Sequence, residues 1–220
     1  MTLVSNVRRP ICASCLRPEN ACICRWVRPT AHRAEVLILQ HPLEVAHAKG
    51  SARLLHLSLA HSRLVTGEQF AEADLQALLT EPFCLQKSPE PARHAVLLYP
   101  EAAQDAADGI ATAPTLDPAW RQDPARLRLV VLDGTWRKSR KMLHLNPLLQ
   151  QLPRLALQDL PPSRYRIRQA RQLHQLSTLE ACCAALAQLE GDAQWFEPLL
   201  SAFDVLVEHL LKTRQPQTPL

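Results

Sequence analysis

The sequence predicts an α/β domain, with a mainly parallel sheet, helices on both faces and a small cysteine-rich element in front. Short, largely apolar runs recur at Glu35–Gln40, His94–Tyr99 and Leu127–Leu132, and runs without strict alternation suit strands buried on both faces. Stretches with apolar residues at helical spacing lie between and after them, the alternation that packs helices onto a parallel sheet. Four of the seven cysteines fall within thirteen residues, ahead of the first apolar run.

Taken in order, residues 1–30 form the first unit, with prolines at 10, 18 and 29 and little periodicity. Residues 31–220 form the second. Glu35–Gln40 is a strand closed by His41-Pro42, and Ala46–Ala60 follows as a helix through Leu54, Leu55, Leu57 and Leu59. Ser62–Thr66 is a second strand closed by Gly67. His94–Tyr99 ends at Pro100, and a helix begins over Glu101–Ala107. Residues 108–126, with Gly109 and three prolines, read as a loop. Leu127–Leu132 is the clearest strand and runs into Asp133, followed by a basic helix over Arg137–Leu145. Leu155–Leu157 is a last short strand, and Thr178–Leu189 and Pro198–Leu211 are helices. Ligands of such sheets bind beyond the carboxyl ends of the strands, which points to the loops at His41, Pro100 and Asp133.

At 220 residues, 47% hydrophobic and 21% charged, the chain can bury a core, and wholesale disorder is excluded. The net charge of +4 says less than its distribution. Between Gly134 and Arg171 stand nine basic residues (Arg137, Lys138, Arg140, Lys141, Arg154, Arg164, Arg166, Arg168 and Arg171) against one acid, Asp159. Such a stretch suits a polyanion partner, or is simply a solvated basic face. No signal peptide or membrane-length apolar run is visible, so a cytoplasmic protein with reduced cysteines is expected. A monomer is expected too, because the basic stretch would otherwise have to share its surface.

Cys12, Cys15, Cys22 and Cys24 offer four soft ligands on short turns, as a closed structural zinc site requires. The second pair is C-x-C where the commoner ribbon has C-x2-C. A redox C-x-x-C leaves that second pair unexplained; an iron–sulfur cluster also uses four thiolates. Cys182 and Cys183 read as buried helix residues, and Cys84 is solitary.

Asp133-Gly134-Thr135-Trp136 follows the best strand. Asp133 can reach into a cleft there, or Asp133 or Thr135 can cap the helix that follows. Ser177-x-x-Glu180 has capping-box spacing, and the same helix start can hold a ligand's carboxylate.

With these pieces in order, the chain resembles the DTW-domain family of tRNA-uridine aminocarboxypropyltransferases. The matching residues are Asp133-Gly134-Thr135-Trp136 with the following Arg137–Leu143, Gln40-His41-Pro42-x-Glu44, Leu98-Tyr99-Pro100, Ser163-Arg164-Tyr165-x-x-Arg168 and Leu176–Ala181. The four-cysteine pattern matches as well, and the resemblance runs from about residue 10 to 211. It implies a SPOUT-like fold with a knotted C-terminal part, a topology that no strand pattern discloses. It also implies transfer of the 3-amino-3-carboxypropyl group of S-adenosylmethionine to N3 of a tRNA uridine, in the variable loop for the bacterial branch.

By that resemblance Leu98, Tyr99, Pro100, Leu132, Asp133, Gly134, Ser177 and Thr178 form the cofactor site. Asp133, Thr135 and Trp136 are the catalytic group, and Arg137, Arg140, Lys141, Arg164, Arg166 and Arg168 grip tRNA phosphates. Asp133 acts as base toward uridine N3 or clamps the ligand's amino group. Trp136 stacks on adenine or the target base, or is buried under its helix. His41 and Glu44 support the site or merely satisfy their turn. A SPOUT methyltransferase and a non-catalytic zinc-containing RNA-binding module are the rival readings.

Overall fold

The computed structural model describes residues 10–47, 50–83, 93–101, 105, 107, 109–158 and 176–213. Five parallel strands form one sheet: β1 (Glu35–Gln40), β2 (Ser62–Thr66), β3 (His94–Leu98), β4 (Leu127–Asp133) and β5 (Arg154–Leu155). Their order across the sheet is β2-β1-β4-β3-β5. β1 and β4 lie side by side in the middle and are buried along their whole length. That is why both read as largely apolar runs: a central parallel strand is covered on both faces.

The helices are α1 (Ala52–Ser58), α2 (Glu72–Thr80), α3 (Trp136–Leu145), α4 (Pro147–Gln150), α5 (Thr178–Glu190) and α6 (Glu197–Lys212). Alternate side chains of each strand go to opposite faces. Val36, Ile38, Val96, Leu129 and Val131 meet α1, α5 and α6. Leu37, Leu39, Leu97, Val130 and Leu132 meet α2, α3 and α4. The expected α/β sheet with helices on both faces is therefore present. Cys15, Ile23 and Trp26 join the core on the α5 face, and Trp26 lies 5.1 Å from the His209 ring of α6.

Several elements differ in extent from the sequence expectation. α1 begins at Ala52, not Ala46. Before it, His41 Nδ1 accepts the Leu43 amide over a short 3-10 turn at Pro42–Glu44, and the Gly50 amide bonds the His47 carbonyl. These turns spend the backbone that would have made the helix's first half. β4 extends to include Asp133, and β5 occupies Arg154–Leu155, one residue before the expected run. α2 went unforeseen; its buried side consists of only Leu75, Leu78 and Leu79. Of the expected helix at 101–107, only Glu101, Asp105 and Ala107 are described, and none is helical. The 108–126 loop carries two 3-10 turns, Pro118–Gln122 and Pro124–Arg126. α5 stops at Gly191, whose φ of 80° is the left-handed conformation that glycine adopts freely at a helix end.

Candidate active site at the carboxyl edge of the sheet

Asp133 is the last residue of β4, opposite Gln40, the last of β1. The side chain is 5% exposed. Its Oδ2 accepts from Gln40 Nε2 at 2.8 Å, and its Oδ1 accepts from Thr178 Oγ1 at 2.6 Å. The main chain is tied as well, with the His41 amide donating to the Asp133 carbonyl at 2.9 Å. Asp133 is thus no helix cap. Thr135 takes that role, accepting the Lys138 amide at 3.4 Å. Gly134 lets the chain turn closely, since a Cβ there would stand 3.1 Å from Lys138 Cβ.

Thr178 comes from the head of α5, where the capping box is complete. Ser177 Oγ accepts the Glu180 amide at 3.2 Å, and Glu180 Oε2 accepts the Ser177 amide at 2.7 Å. The next amide, Leu179, donates to Ser51 Oγ at 3.3 Å, from the residue just before α1. These amides already have acceptors within the protein.

On the α3 face, Tyr99 follows β3 and is buried, while Trp136 is 49% exposed. The two rings stack at 5.1 Å with planes 12° apart. Of the two expectations for Trp136, burial under its helix does not hold, because the residue is half-exposed with its ring resting on Tyr99. Burial raises the Tyr99 phenol to about 12, so it stays protonated. Leu132 is buried beneath α3, Leu98 ends β3, and Pro100 is exposed. All these residues lie at the carboxyl edge, as the sequence reading required.

The basic helix is less bare than its sequence suggests. Lys138 Nζ bonds Glu44 Oε1 at 2.8 Å, and Arg140 lies 3.4 Å from Asp105. Lys141 Nζ meets Glu68 Oε2 at 2.8 Å; the other Glu68 oxygen accepts from His41 Nε2 at 2.8 Å. Lys141 first, and His41 second, hold the Glu68 carboxyl below its ordinary range. His41 and Glu44 therefore satisfy the turn after β1 and brace α3. Arg137 is exposed. Arg164, Arg166 and Arg168 lie outside the described residues, as does Cys84.

The four cysteines converge. Their sulfurs all lie within 4.8 Å of one another, with Cys12–Cys24 at 3.6 Å and Cys15–Cys22 at 3.7 Å. Backbone amides of Cys15 and Ser14 aimed at the Cys12 sulfur lower that thiol to about 6, as a metal knuckle would. Cys182 and Cys183 are buried in α5, and burial raises both thiols.

Sequence reasoning missed Gln40 as the partner of Asp133, although its place at a strand end beside the best strand was a signal. Ser51 and Glu68 carried none.

The DTW-domain family model matches residues 9–211. The chain is 28% identical over 210 residues to the Mus musculus protein named tRNA-uridine aminocarboxypropyltransferase 2, covering 93% of this chain and 65% of that protein. A Drosophila melanogaster protein of the same name is 30% identical over 212 residues, covering 93% and 76%. The Arabidopsis thaliana tRNA-uridine aminocarboxypropyltransferase A is 27% identical over 143 residues, covering 62% and 51%. The chain thus spans less than two thirds of the mouse and Arabidopsis relatives. No solved structure matches it.

Proposed function

Since the chain belongs to the DTW-domain family, we propose that it transfers the 3-amino-3-carboxypropyl group of S-adenosylmethionine to N3 of a tRNA uridine, in the variable loop. The observation that carries this reading is Asp133. It is a carboxylate fixed at the carboxyl end of the central strand by Gln40 and Thr178, three residues before the half-exposed Trp136.

In the reaction, N3 attacks the propyl carbon bonded to sulfur. The carbon–sulfur bond breaks, its electron pair stays with the departing thioether, and the N3 proton is lost. All three carbons on a sulfonium are activated, so the protein chooses among them by alignment. Asp133 acts as base toward N3, within hydrogen-bond reach of it, or clamps the ligand's ammonium. Replacement by Asn separates these roles: transfer with intact cofactor affinity is lost for a base, affinity itself for a clamp. Thr135 and Gly134 turn the chain so that Trp136 presents its free face for stacking. Leu98, Tyr99, Pro100, Leu132, Ser177 and Thr178 would line the cofactor site. Arg137, Arg140, Lys141, Arg164, Arg166 and Arg168 would face the RNA phosphates, in which case binding weakens steeply with salt.

The cysteine element would hold one structural zinc ion. Tetrahedral thiolates at about 2.3 Å from zinc stand about 3.8 Å apart, and the observed pairs lie at 3.6 and 3.7 Å. An iron–sulfur cluster spreads its thiolates around several irons, whereas these four share one small tetrahedron. The ion would fold residues 1–30 against the 31–220 domain, which Cys15, Ile23 and Trp26 enter. A SPOUT-like fold with a knotted C-terminal part belongs to the same proposal and rests on the family membership. No described helix is long and apolar enough to cross a membrane, and the proposal places the enzyme in the cytoplasm as a monomer.

Incubation with S-adenosylmethionine and tRNA from a strain lacking the modification, followed by nucleoside mass spectrometry, tests the reading. A uridine heavier by an aminocarboxypropyl group is expected. A methylated uridine, or tRNA binding indifferent to the cofactor, would replace it with one of the rival functions.

A further inference from the structure

On the α3 side of the carboxyl edge, β5 places a buried arginine whose donors are only partly used. Arg154 is 9% exposed. Its Nη1 donates to Asp105 Oδ2 at 2.5 Å and reaches the Pro100 carbonyl at 3.4 Å. Among the described residues its Nε and Nη2 have no acceptor, although a guanidinium offers five N–H groups and buried donors are rarely left unmet. The Tyr99 hydroxyl, in a residue 3% exposed, also has no hydrogen-bond partner among the described residues. These groups share one place. Arg154 Cζ lies 5.5 Å from the centre of the Tyr99 ring, and the charges of Arg140, Asp105 and Arg154 all act on the Tyr99 phenol. Trp136 stacks on the same ring.

The reaction proposed above needs a grip on one more ligand group, the carboxylate of the arm to be moved. The amides of Ser177, Leu179 and Glu180 at the head of α5 are already bonded within the protein. Among the described residues, unmet donors stand instead on β5, two strands from Asp133 in the order β4-β3-β5, roughly 10 Å across the sheet. Arg154 is level with Leu97 and Val130, three residues back from Asp133 along the strands, and its long side chain returns toward the edge, where Nη1 reaches the Pro100 carbonyl. An arm crossing the edge from Asp133 would put its attacked carbon first and, on the carbon two further along, the carboxylate. Asp133 faces α5 while Tyr99 packs on the α3 side, so a ligand lying over the edge at Gly134 meets both.

We propose that Arg154, through Nε and Nη2, and the Tyr99 hydroxyl form the anion subsite that takes the carboxylate of the aminocarboxypropyl arm. This rests on the transfer function above. A carboxylate held there fixes the arm at its far end and brings the arm's own sulfur-bonded carbon, not the methyl carbon, toward the uridine. Two buried donor groups suit a small ligand's carboxylate better than an RNA phosphate on an exposed backbone, whose chemistry is otherwise similar.

Calorimetric titration of the full chain with S-adenosylmethionine and with its decarboxylated analogue tests this, alongside tRNA binding and circular dichroism. The unaltered protein should prefer the carboxylated ligand by roughly 10- to 100-fold. Arg154→Gln should bind both equally, with tRNA affinity unchanged. Tyr99→Phe, which removes one unbonded oxygen and keeps the ring, should lose a few-fold of the preference. A full preference in folded Arg154→Gln overturns the proposal, and a fall in tRNA affinity beside it would assign the subsite to an RNA phosphate. Where Arg154→Gln fails to fold, an undiminished preference in Tyr99→Phe overturns it equally. Failure of the unaltered protein to bind S-adenosylmethionine would instead remove the transfer function, and the subsite with it.

Discussion

β1 and β4 carry a polar pair at each end, and the two pairs are built on opposite plans. At the amino end Glu35 faces Arg128. Arg128 is fully buried, donates to Glu35 Oε2 through Nε at 2.8 Å, and also bonds the carbonyls of Leu78 and Glu81. Arg93 closes on the other Glu35 oxygen at 2.9 Å. At the carboxyl end Gln40 faces Asp133, and the carboxylate accepts from a neutral amide and a neutral hydroxyl. The first pair matches charge with charge and serves the fold. The second holds a carboxylate in place through two neutral donors, Gln40 and Thr178, at the edge where ligands of such sheets bind.

The sharpest way to break this contrast is to change one residue at each end. Asp133→Asn keeps the shape and both neighbours. Transfer should fall by about a thousandfold, within the range for a lost acid–base group, while stability to urea changes by no more than about 1–2 kcal/mol. Arg128→Ala should do the reverse. Leaving Glu35 buried without its main partner should cost about 3–5 kcal/mol in urea unfolding, with transfer per folded molecule unchanged. If Asp133→Asn proved the more destabilising, the division of labour between the ends would be wrong.

Smaller effects sharpen it. Thr178→Val removes one donor to Asp133 and should slow transfer about tenfold, at about 1 kcal/mol of stability. Cys22→Ser should abolish binding of one zinc per chain by elemental analysis and lower the melting temperature; a metal content unchanged from the parent would refute the four-thiolate site.

The smallest effect is a pH dependence near the amino end. His32 donates from Nδ1 to the Ala34 carbonyl at 2.7 Å, and its Nε2 accepts the His61 amide at 3.2 Å, so it is held neutral. Burial pushes its pKa below the ordinary 6.5. His56 is lowered likewise, by burial first and Arg53 second. The unfolded chain therefore takes up protons first, so the stability from these groups is present above 6.5 and lost as pH falls below it. Urea midpoints at about pH 7.5 and about pH 5.5 should show this fall; a rise would contradict it.

What the sequence made legible follows from how local each feature is. The largely apolar runs marked β1, β3 and β4 because burial on both faces leaves no strict alternation. Ser177 and Glu180 are three residues apart, so their capping box could be read directly, and the four cysteines were equally plain. The partners of Asp133 were not. Gln40 and Thr178 lie far away in sequence and meet it only because β1 pairs with β4 and α5 returns to the same edge. For Asp133 the local reading set a helix cap beside a cleft carboxylate; the register placed Asp133 inside the strand and left Thr135 as the cap. The positive field was overstated for the same reason. Counted along the chain, residues 134–171 hold one acid, yet Glu44, Glu68 and Asp105 come from elsewhere to meet Lys138, Lys141 and Arg140. α2 was missed because three leucines on one side of a short polar helix are too sparse a signal.

The central claim is that the carboxyl edge moves the aminocarboxypropyl arm. The most direct measurement uses S-adenosylmethionine labelled at the carboxyl carbon in one reaction and at the methyl carbon in another, each with unmodified tRNA. Carboxyl label should enter the RNA with the parent protein and not with Asp133→Asn, and methyl label should not enter at all. Methyl label in the RNA, or no label from either ligand, would contradict the account.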